Sequence, residues 1–291
     1  MADEVKELLQ EYREGKISRR EFIQKAAVLT GSLIAATSLL DSLVCPSAYA
    51  AQVDPNDAAL SSGVVQFAGP AGTISGYQSK PKAAGKYPGI IVIHENRGLN
   101  DHIRDVARRL AKEGYVALAP DYLSREGGTE KVNPKGGGIA NLREVAPPKV
   151  VGEDSDAAVA YLRTLPDIRG DRVGVVGFCW GGQMTFMVST HVRGLKAAVV
   201  YYGRSPEPVE LMEKIEAPVL AHYGEEDPGV NKTIPAAEEA MKKYNKSYTY
   251  KIYPGAKHAF NNDTNADRYH PEAAKEAWNR TLEFFKKQLQ G

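Results

Sequence analysis

The hexapeptide Gly177-Phe178-Cys179-Trp180-Gly181-Gly182 constrains this chain more than any other feature. It follows the apolar run 172–177 and opens a stretch of helical character from Gln183. Gly-x-Cys-x-Gly between a strand and a helix has the form of a nucleophile elbow, with Cys where Ser is usual. Such a turn holds its central residue in a strained conformation while the chain passes close on both sides. Gly177 and Gly181 lack the β-carbons that would collide there. The helix N-terminus beyond favours a thiolate, or an oxyanion formed next to it. A free cysteine is most often a small buried hydrophobe. Glycine on both flanks, at elbow spacing and just past an apolar strand, argues for a nucleophile.

An elbow needs a sheet to stand on. Short β-branched or aromatic runs predict strands at 64–67, 74–78, 89–94, 116–119, 173–178, 197–202, 219–223 and 248–253. The first two are close together and predict an antiparallel edge; the later, nearly continuous apolar runs predict a buried parallel sheet. Helical periods fall at 101–112, 154–165, 234–244 and 271–289, with Gly114 as a C-cap. No repeat and no long linker divides the chain beyond residue 50. Alternating strands and helices over this length predict one three-layer α/β domain, 51–291, with a mostly parallel central sheet flanked by helices on both faces. Residues 124–148, with Gly136-Gly137-Gly138, read as a surface loop or lid. No Gly-Lys-Ser/Thr follows, so they are not a phosphate loop.

A cysteine nucleophile wants a base and a group to orient that base. Past the strand at 219–223 lie Glu225, Glu226 and Asp227, and past the strand at 248–253 lies His258. Both positions follow C-terminal strand ends, the edge where open α/β sheets hold ligands. Cys179, Asp227, His258 is the nucleophile, acid, base order of the α/β-hydrolase fold. Asp227 is preferred as the acid for its short reach, with Glu225 and Glu226 as alternatives. Among the other histidines, His94 could border the site, His222 falls inside a strand, and His102, His191 and His270 read as exposed or capping. An oxyanion hole needs two converging N–H groups. Trp180, just after the nucleophile, supplies one, and the loop 94–98 supplies the other, with Asn96 the candidate donor. The pair His94-Glu95 has no second His one turn on, and no other ligand spacing appears, so no metal or cofactor is expected.

With these residues in view, the chain resembles the dienelactone hydrolase (carboxymethylenebutenolidase) family from about residue 64 to 287. The resemblance rests on His94-Glu95-Asn96-Arg97-Gly98-Leu99, Ala119-Pro120-Asp121-Tyr122, the Cys179 elbow, and Gly255-Ala256-Lys257-His258-Ala259-Phe260. It implies an α/β-hydrolase fold and a cysteine-dependent hydrolase of lactones or small carboxylic esters, with Cys179 attacking the carbonyl. It also implies that Glu95 helps form the thiolate when substrate arrives, and that Arg125 grips a substrate carboxylate. Two positions depart from the family pattern. Ala259 stands where the best-known members carry Ser, and Asn262 where they carry a second carboxylate-holding Arg, with Arg268 a substitute further along. Dienelactone itself is therefore a doubtful substrate, whereas the hydrolase chemistry stands. The rivals are a broader exported carboxylesterase or thioesterase and a non-catalytic binding protein on the same scaffold.

The first fifty residues read as an address. Arg19-Arg20 precedes an apolar run, 26–44, interrupted by Asp41, and Ala48-Tyr49-Ala50 is a small-x-small cleavage site. Together they resemble a twin-arginine export signal cut after Ala50, delivering the protein to the periplasm or outside the cell. Val44 before Cys45 argues against a lipoprotein signal. Cleavage would leave Cys179 as the one cysteine, without a disulfide or redox partner in its own chain. With 37 basic and 36 acidic side chains, the chain carries no electrostatic footprint for nucleic acid. The expected partners are a small ester or lactone and, during targeting, the export machinery. Nothing in the sequence specifies an oligomer, and a monomer is the default.

Overall fold

Eight strands form one sheet: β1 (Leu60–Gly69), β2 (Gly72–Pro81), β3 (Tyr87–Ile93), β4 (Val116–Pro120), β5 (Ile168–Phe178), β6 (Ala197–Tyr201), β7 (Val219–Glu226) and β8 (Tyr248–Lys257). The structure, a computed structural model, describes Leu8, Glu11, Lys16, Ile17, Arg19–Thr30 and residues 51–291. The strand order is β1-β2-β4-β3-β5-β6-β7-β8. β1 and β2 form the antiparallel edge and β2 meets β4 antiparallel, while every pair from β4 to β8 is parallel.

Every predicted strand is present, and β1 and β2 run several residues past their predicted ends. Their extra residues include Ser61, Ser62, Ser79 and Lys80, polar positions of an edge hairpin with a partly wet face. An apolar-run criterion misses such residues. The interior strands alternate strictly between two cores. Ile91 and Ile93 of β3 pack on the side of α3 (Pro148–Thr164), α4 (Trp180–His191) and α5 (Ile234–Lys243). Ile90 and Val92 face α2 (Asp101–Lys112) and α6 (Pro271–Phe285) on the other side. Period-two burial on both faces is what makes the layer order helix, sheet, helix.

Local chemistry sets the helix ends. Asn100 caps α2, its side chain accepting from the Ile103 N–H at 3.2 Å. Gly114 follows the last turn at φ +85°, where a β-carbon would be strained. Ile103, Val106 and Leu110 of α2 are fully buried, each contributing about 1.5–3 kcal/mol of transfer free energy. α3 starts at Pro148, six residues before the predicted start. Pro at the first position suits a helix start, and the polar opening Lys149, Gly152, Glu153 hides the period. A β-carbon on Gly152 would lie 2.9 Å from the His191 ring, so this turn is packed against α4 despite its polar look. α6 ends at Phe285 and passes into a π turn, Lys286–Gln290, which buries Leu289.

The chain divides into two compact units, Met1–Ala50 and Ala51–Gly291. In the first, helix α1 (Arg19–Thr30) buries Phe22 and Ala26, and Lys25 pairs with Glu11 at 3.2 Å. The rest of the apolar run beyond Thr30, Cys45 and Ala48-Tyr49-Ala50 lie outside the described residues, and of Arg19 and Arg20 only the helical backbone is described. Among the described residues no helix is long and apolar enough to cross a membrane.

Candidate active site

β5 delivers Cys179 to the C-terminal edge of the sheet, and α4 leaves at once from Trp180, three residues earlier than the period predicts. The glycines permit this. A β-carbon on Gly177 would come within 2.1 Å of the Gly181 carbonyl, and one on Gly181 within 2.4 Å of the Ile93 and His94 carbonyls. Cys179 itself sits at φ +57°, ψ −115°, held by its N–H donating to the Tyr201 carbonyl at 3.0 Å. Such a conformation costs on the order of 1–3 kcal/mol in a non-glycine residue. Tyr202 (φ +40°) and Ala259 (φ +66°) adopt the same region nearby, so backbone strain concentrates around the thiol.

His258 lies between the other two groups. Its Nε2 is 3.0 Å from the Cys179 Sγ, and its Nδ1–H donates to Asp227 Oδ2 at 2.5 Å. Asp227 is fixed in turn as the cap of a one-turn helix, Pro228–Asn231, its Oδ1 accepting from the Val230 N–H. Burial alone would pull His258 down. The hydrogen bonds to Asp227 and Cys179, with the charges of both, outweigh it and push His258 up to about 10. The alternative acids point elsewhere: Glu225 accepts from the Gly255 N–H, and Glu226 is exposed at the end of β7.

Asn96 and Trp180 both line a half-open cavity of about 310 Å³ that contains Cys179 and His258. No protein acceptor takes the backbone N–H of either residue among the described residues. Trp180 is the first residue of α4, where an N–H has no intrahelical partner. Behind it the buried His94 ring stacks on the indole at 5.1 Å, and its Nδ1–H donates to the Glu95 carbonyl. Burial pushes His94 down. It braces the elbow from behind and does not line the cavity.

Glu95 is buried and occupied. Oε2 accepts from Asn262 Nδ2 at 2.6 Å and Oε1 from the Tyr202 hydroxyl at 3.4 Å. Asn262 is held by Thr264, whose N–H and hydroxyl both donate to its Oδ1. The residue at the departing position therefore binds the carboxylate of Glu95.

Arg125, which the resemblance links to a substrate carboxylate, is placed elsewhere in this structure. Its guanidinium bonds Asp154 of α3 at 2.6 Å, a carboxylate only 2% exposed, and it does not line the cavity. A buried carboxylate needs a partner more than a loop arginine needs a substrate. Arg268 is exposed and also outside the cavity. The arginines that do line it are Arg143 and Arg204, joined by Gln183 and Tyr202, none of which the sequence reading assigned to the site. Tyr201-Tyr202-Gly203 at the end of a parallel strand was the available signal, because that edge holds the ligands.

Residues 124–148 fold into short turns and helices, and part of this stretch roofs the cavity through Ile139, Ala140, Leu142 and Arg143. The Ile139 N–H donates to the Asn96 carbonyl at 2.9 Å, and Asn133 bonds the Arg97 carbonyl at 3.0 Å. Of the remaining histidines, His222 bonds Tyr253 and Thr281 inside the core, and burial pushes it down to about 3. His102 lies 3.4 Å from Asp263, His191 pairs with Asp156, and His270 caps α6. No group of three or more His, Cys, Asp or Glu suited to a metal ion occurs among the described residues.

The dienelactone hydrolase family matches residues 74–289. A Methylorubrum extorquens protein assigned as a carboxymethylenebutenolidase is 35% identical over 225 residues, covering 74% of this chain and 77% of its own. One with the same assignment from Synechocystis sp. is 36% identical over 233 residues, covering 74% and 92%. A crystal structure from Klebsiella pneumoniae, assigned as a dienelactone hydrolase, superposes with a TM-score of 0.72 at 34% identity, covering 79% of this chain and 99% of that one.

Proposed function

The chain belongs to the dienelactone hydrolase family, and from that premise we propose that it hydrolyses a lactone or small carboxylic ester through an acyl-enzyme on Cys179. The observation that carries this reading is the unbroken chain Asp227–His258–Cys179 at 2.5 and 3.0 Å on the wall of a cavity.

The Cys179 sulfur attacks the carbonyl carbon while His258 holds the thiol proton and Asp227 holds the imidazolium in place. The carbonyl π pair moves to oxygen, and the oxyanion is received by the Asn96 and Trp180 N–H groups. Collapse breaks the bond to the alkoxide, which takes the proton from His258. In a lactone that alkoxide stays tethered to the acyl group. His258 then removes a proton from water, which attacks the thioester, and collapse expels the thiolate and releases the acid. Glu95, held by Asn262 and the Tyr202 hydroxyl, assists formation of the thiolate when substrate arrives.

The test is turnover of aryl esters, lactones and cis-dienelactone by the wild type and by Cys179→Ala. We expect a fall of about 10⁴-fold or more for the substitution. Turnover that survives it overturns the thiol mechanism. No turnover across the panel, with a thiol inert to alkylation, would replace the enzyme by a binding protein on the same fold.

The leader supports export through a twin-arginine route and removal after Ala50. Mass analysis of protein recovered from the periplasm or medium should give a chain beginning at Ala51. An intact Met1 start confined to the cytoplasm would refute it.

A further inference from the structure

The loop 258–264 carries His258 at its start and, near its end, Asn262, which donates to Glu95. Asp263 lies between Asn262 and Thr264, two residues bonded to each other through the Thr264 N–H and hydroxyl. Its carboxylate bonds a separate set of partners. Oδ2 accepts from Arg109 of α2 at 3.0 Å and from the Gln52 amide at 2.7 Å, and Oδ1 faces the His102 ring at 3.4 Å. Arg108 and Arg109 both meet Asp105 on the same helix. The two carboxylates and the two guanidiniums are all buried, so they form a closed network of equal and opposite charge. The start of the second unit completes it. The Val53 N–H donates to Asp105 Oδ1 at 2.9 Å and the Val53 carbonyl accepts from Arg108 Nε at 2.8 Å, while Gln52 reaches Asp263. Gln52 and Val53 belong to no helix or strand, and these three bonds strap them across α2. The hydrolytic steps above use none of these groups.

We propose that Asp263 is a positioning residue for Glu95, acting through Asn262, and that the strap Gln52–Val53 completes the socket that holds Asp263. The proposal rests on the hydrolase reading for its effect on rate; what it adds is where the holder of Glu95 is itself held. A buried ion-pair network returns little net stability, since the desolvation of its charges offsets their attraction. What it does fix is geometry, because its members satisfy one another in a single arrangement. With Asp263 fixed on α2 and Thr264 bonded to Asn262, the turn 262–264 cannot swing, and Asn262 Nδ2 stays 2.6 Å from Glu95 Oε2. With Asp263 released, Asn262 loses that setting. Glu95 then keeps only the longer bond from the Tyr202 hydroxyl, at 3.4 Å.

A double-mutant cycle in the full chain tests this, with p-nitrophenyl acetate as substrate. Asp263→Asn should lower kcat about tenfold, the scale of a small misplacement, and leave KM within about twofold. In the Glu95→Gln background the same substitution should cost less than about twofold, because the residue it acts through is already lost. Losses that multiply, or a loss that falls on KM, overturn the proposal. Gln52 is exposed, so Gln52→Leu keeps the cycle readable if Asp263→Asn does not fold. It should lower kcat about threefold in the wild type and leave Glu95→Gln unchanged; no loss in the wild type overturns the part given to the strap. A second cycle needs no turnover. Gln52 and Asn262 share no hydrogen bond, since one bonds Asp263 and the other Glu95. The shift in denaturation midpoint caused by Gln52→Leu should nonetheless shrink by at least about half in the Asn262→Ala background, and additive shifts overturn the coupling. If no ester is turned over, the hydrolase reading fails while the midpoints still decide the socket.

Discussion

Two buried carboxylates stand in the site region, and they are held in opposite ways. Asp227 accepts the Nδ1–H of an imidazole whose other nitrogen faces the sulfur, so its charge stabilises the imidazolium that forms there. Glu95 rests between a carboxamide and a phenol, neither of which changes charge in the neutral range. Burial and the neighbouring Glu95 push the Tyr202 hydroxyl well up, which keeps it a donor. One acid is wired to a titrating partner and the other is pinned by fixed donors. Residue type and burial are alike in the two, so the partner decides what each carboxylate can do.

That contrast is open to attack at several points, the largest effect first. Asp227→Asn should cost about 10³–10⁴-fold in kcat, because the amide cannot hold His258 in the required tautomer. Steady-state kinetics on any ester that the wild type cleaves will read it, and a loss below tenfold would mean that Glu225 or Glu226 can take over. Glu95→Gln should cost less, about 10²-fold, the scale of one assisted proton transfer. Equal losses for the two substitutions would erase the distinction between the carboxylate on the imidazole and the one on fixed donors.

Asn262→Ala should act mainly on stability. It strips a buried carboxylate of its short donor, for a loss of about 1–3 kcal/mol by chemical denaturation. A variant as stable as the wild type would show that water replaces the amide. The smallest effect concerns pH. His258 is raised from about 6.5 to about 10 in the folded state, so its stabilising contribution is fully present below about pH 6.5 and is lost as pH rises through about 10. The stability gap between the wild type and His258→Ala should therefore be widest near pH 6 and close toward pH 10. A gap that widens with pH would reverse the assignment of the charged form.

Much of this arrangement was legible in the chain. Eight apolar or β-branched runs located the eight strands, and the interval from Asp101 to Lys112 marked its helix to the residue. Polar turns were less legible. The first turn and a half of α3 carries Lys149, Gly152 and Glu153 and shows its burial only through its contact with His191. In the site region, Cys179, Asp227 and His258 were readable because each follows a strand end in a fixed order. Tyr202 and Arg204 also follow a strand end, but nothing in their residue types distinguished them from core and surface. The partner of Arg125 was illegible for the reverse reason: its motif fitted, and Asp154, 29 residues away, was invisible.

Periodicity and turn chemistry are local, so the sequence by itself determined the alternating strands and helices, the elbow turn, and the placing of Cys179, Asp227 and His258 at successive strand ends. Which carboxylate meets the imidazole, which arginine is consumed by a buried Asp, and which two remain facing the cavity are pairings between distant segments. They depend on distances of a few ångströms that no local pattern encodes. A charge is satisfied by whatever the fold brings beside it, and only the tertiary structure decides that.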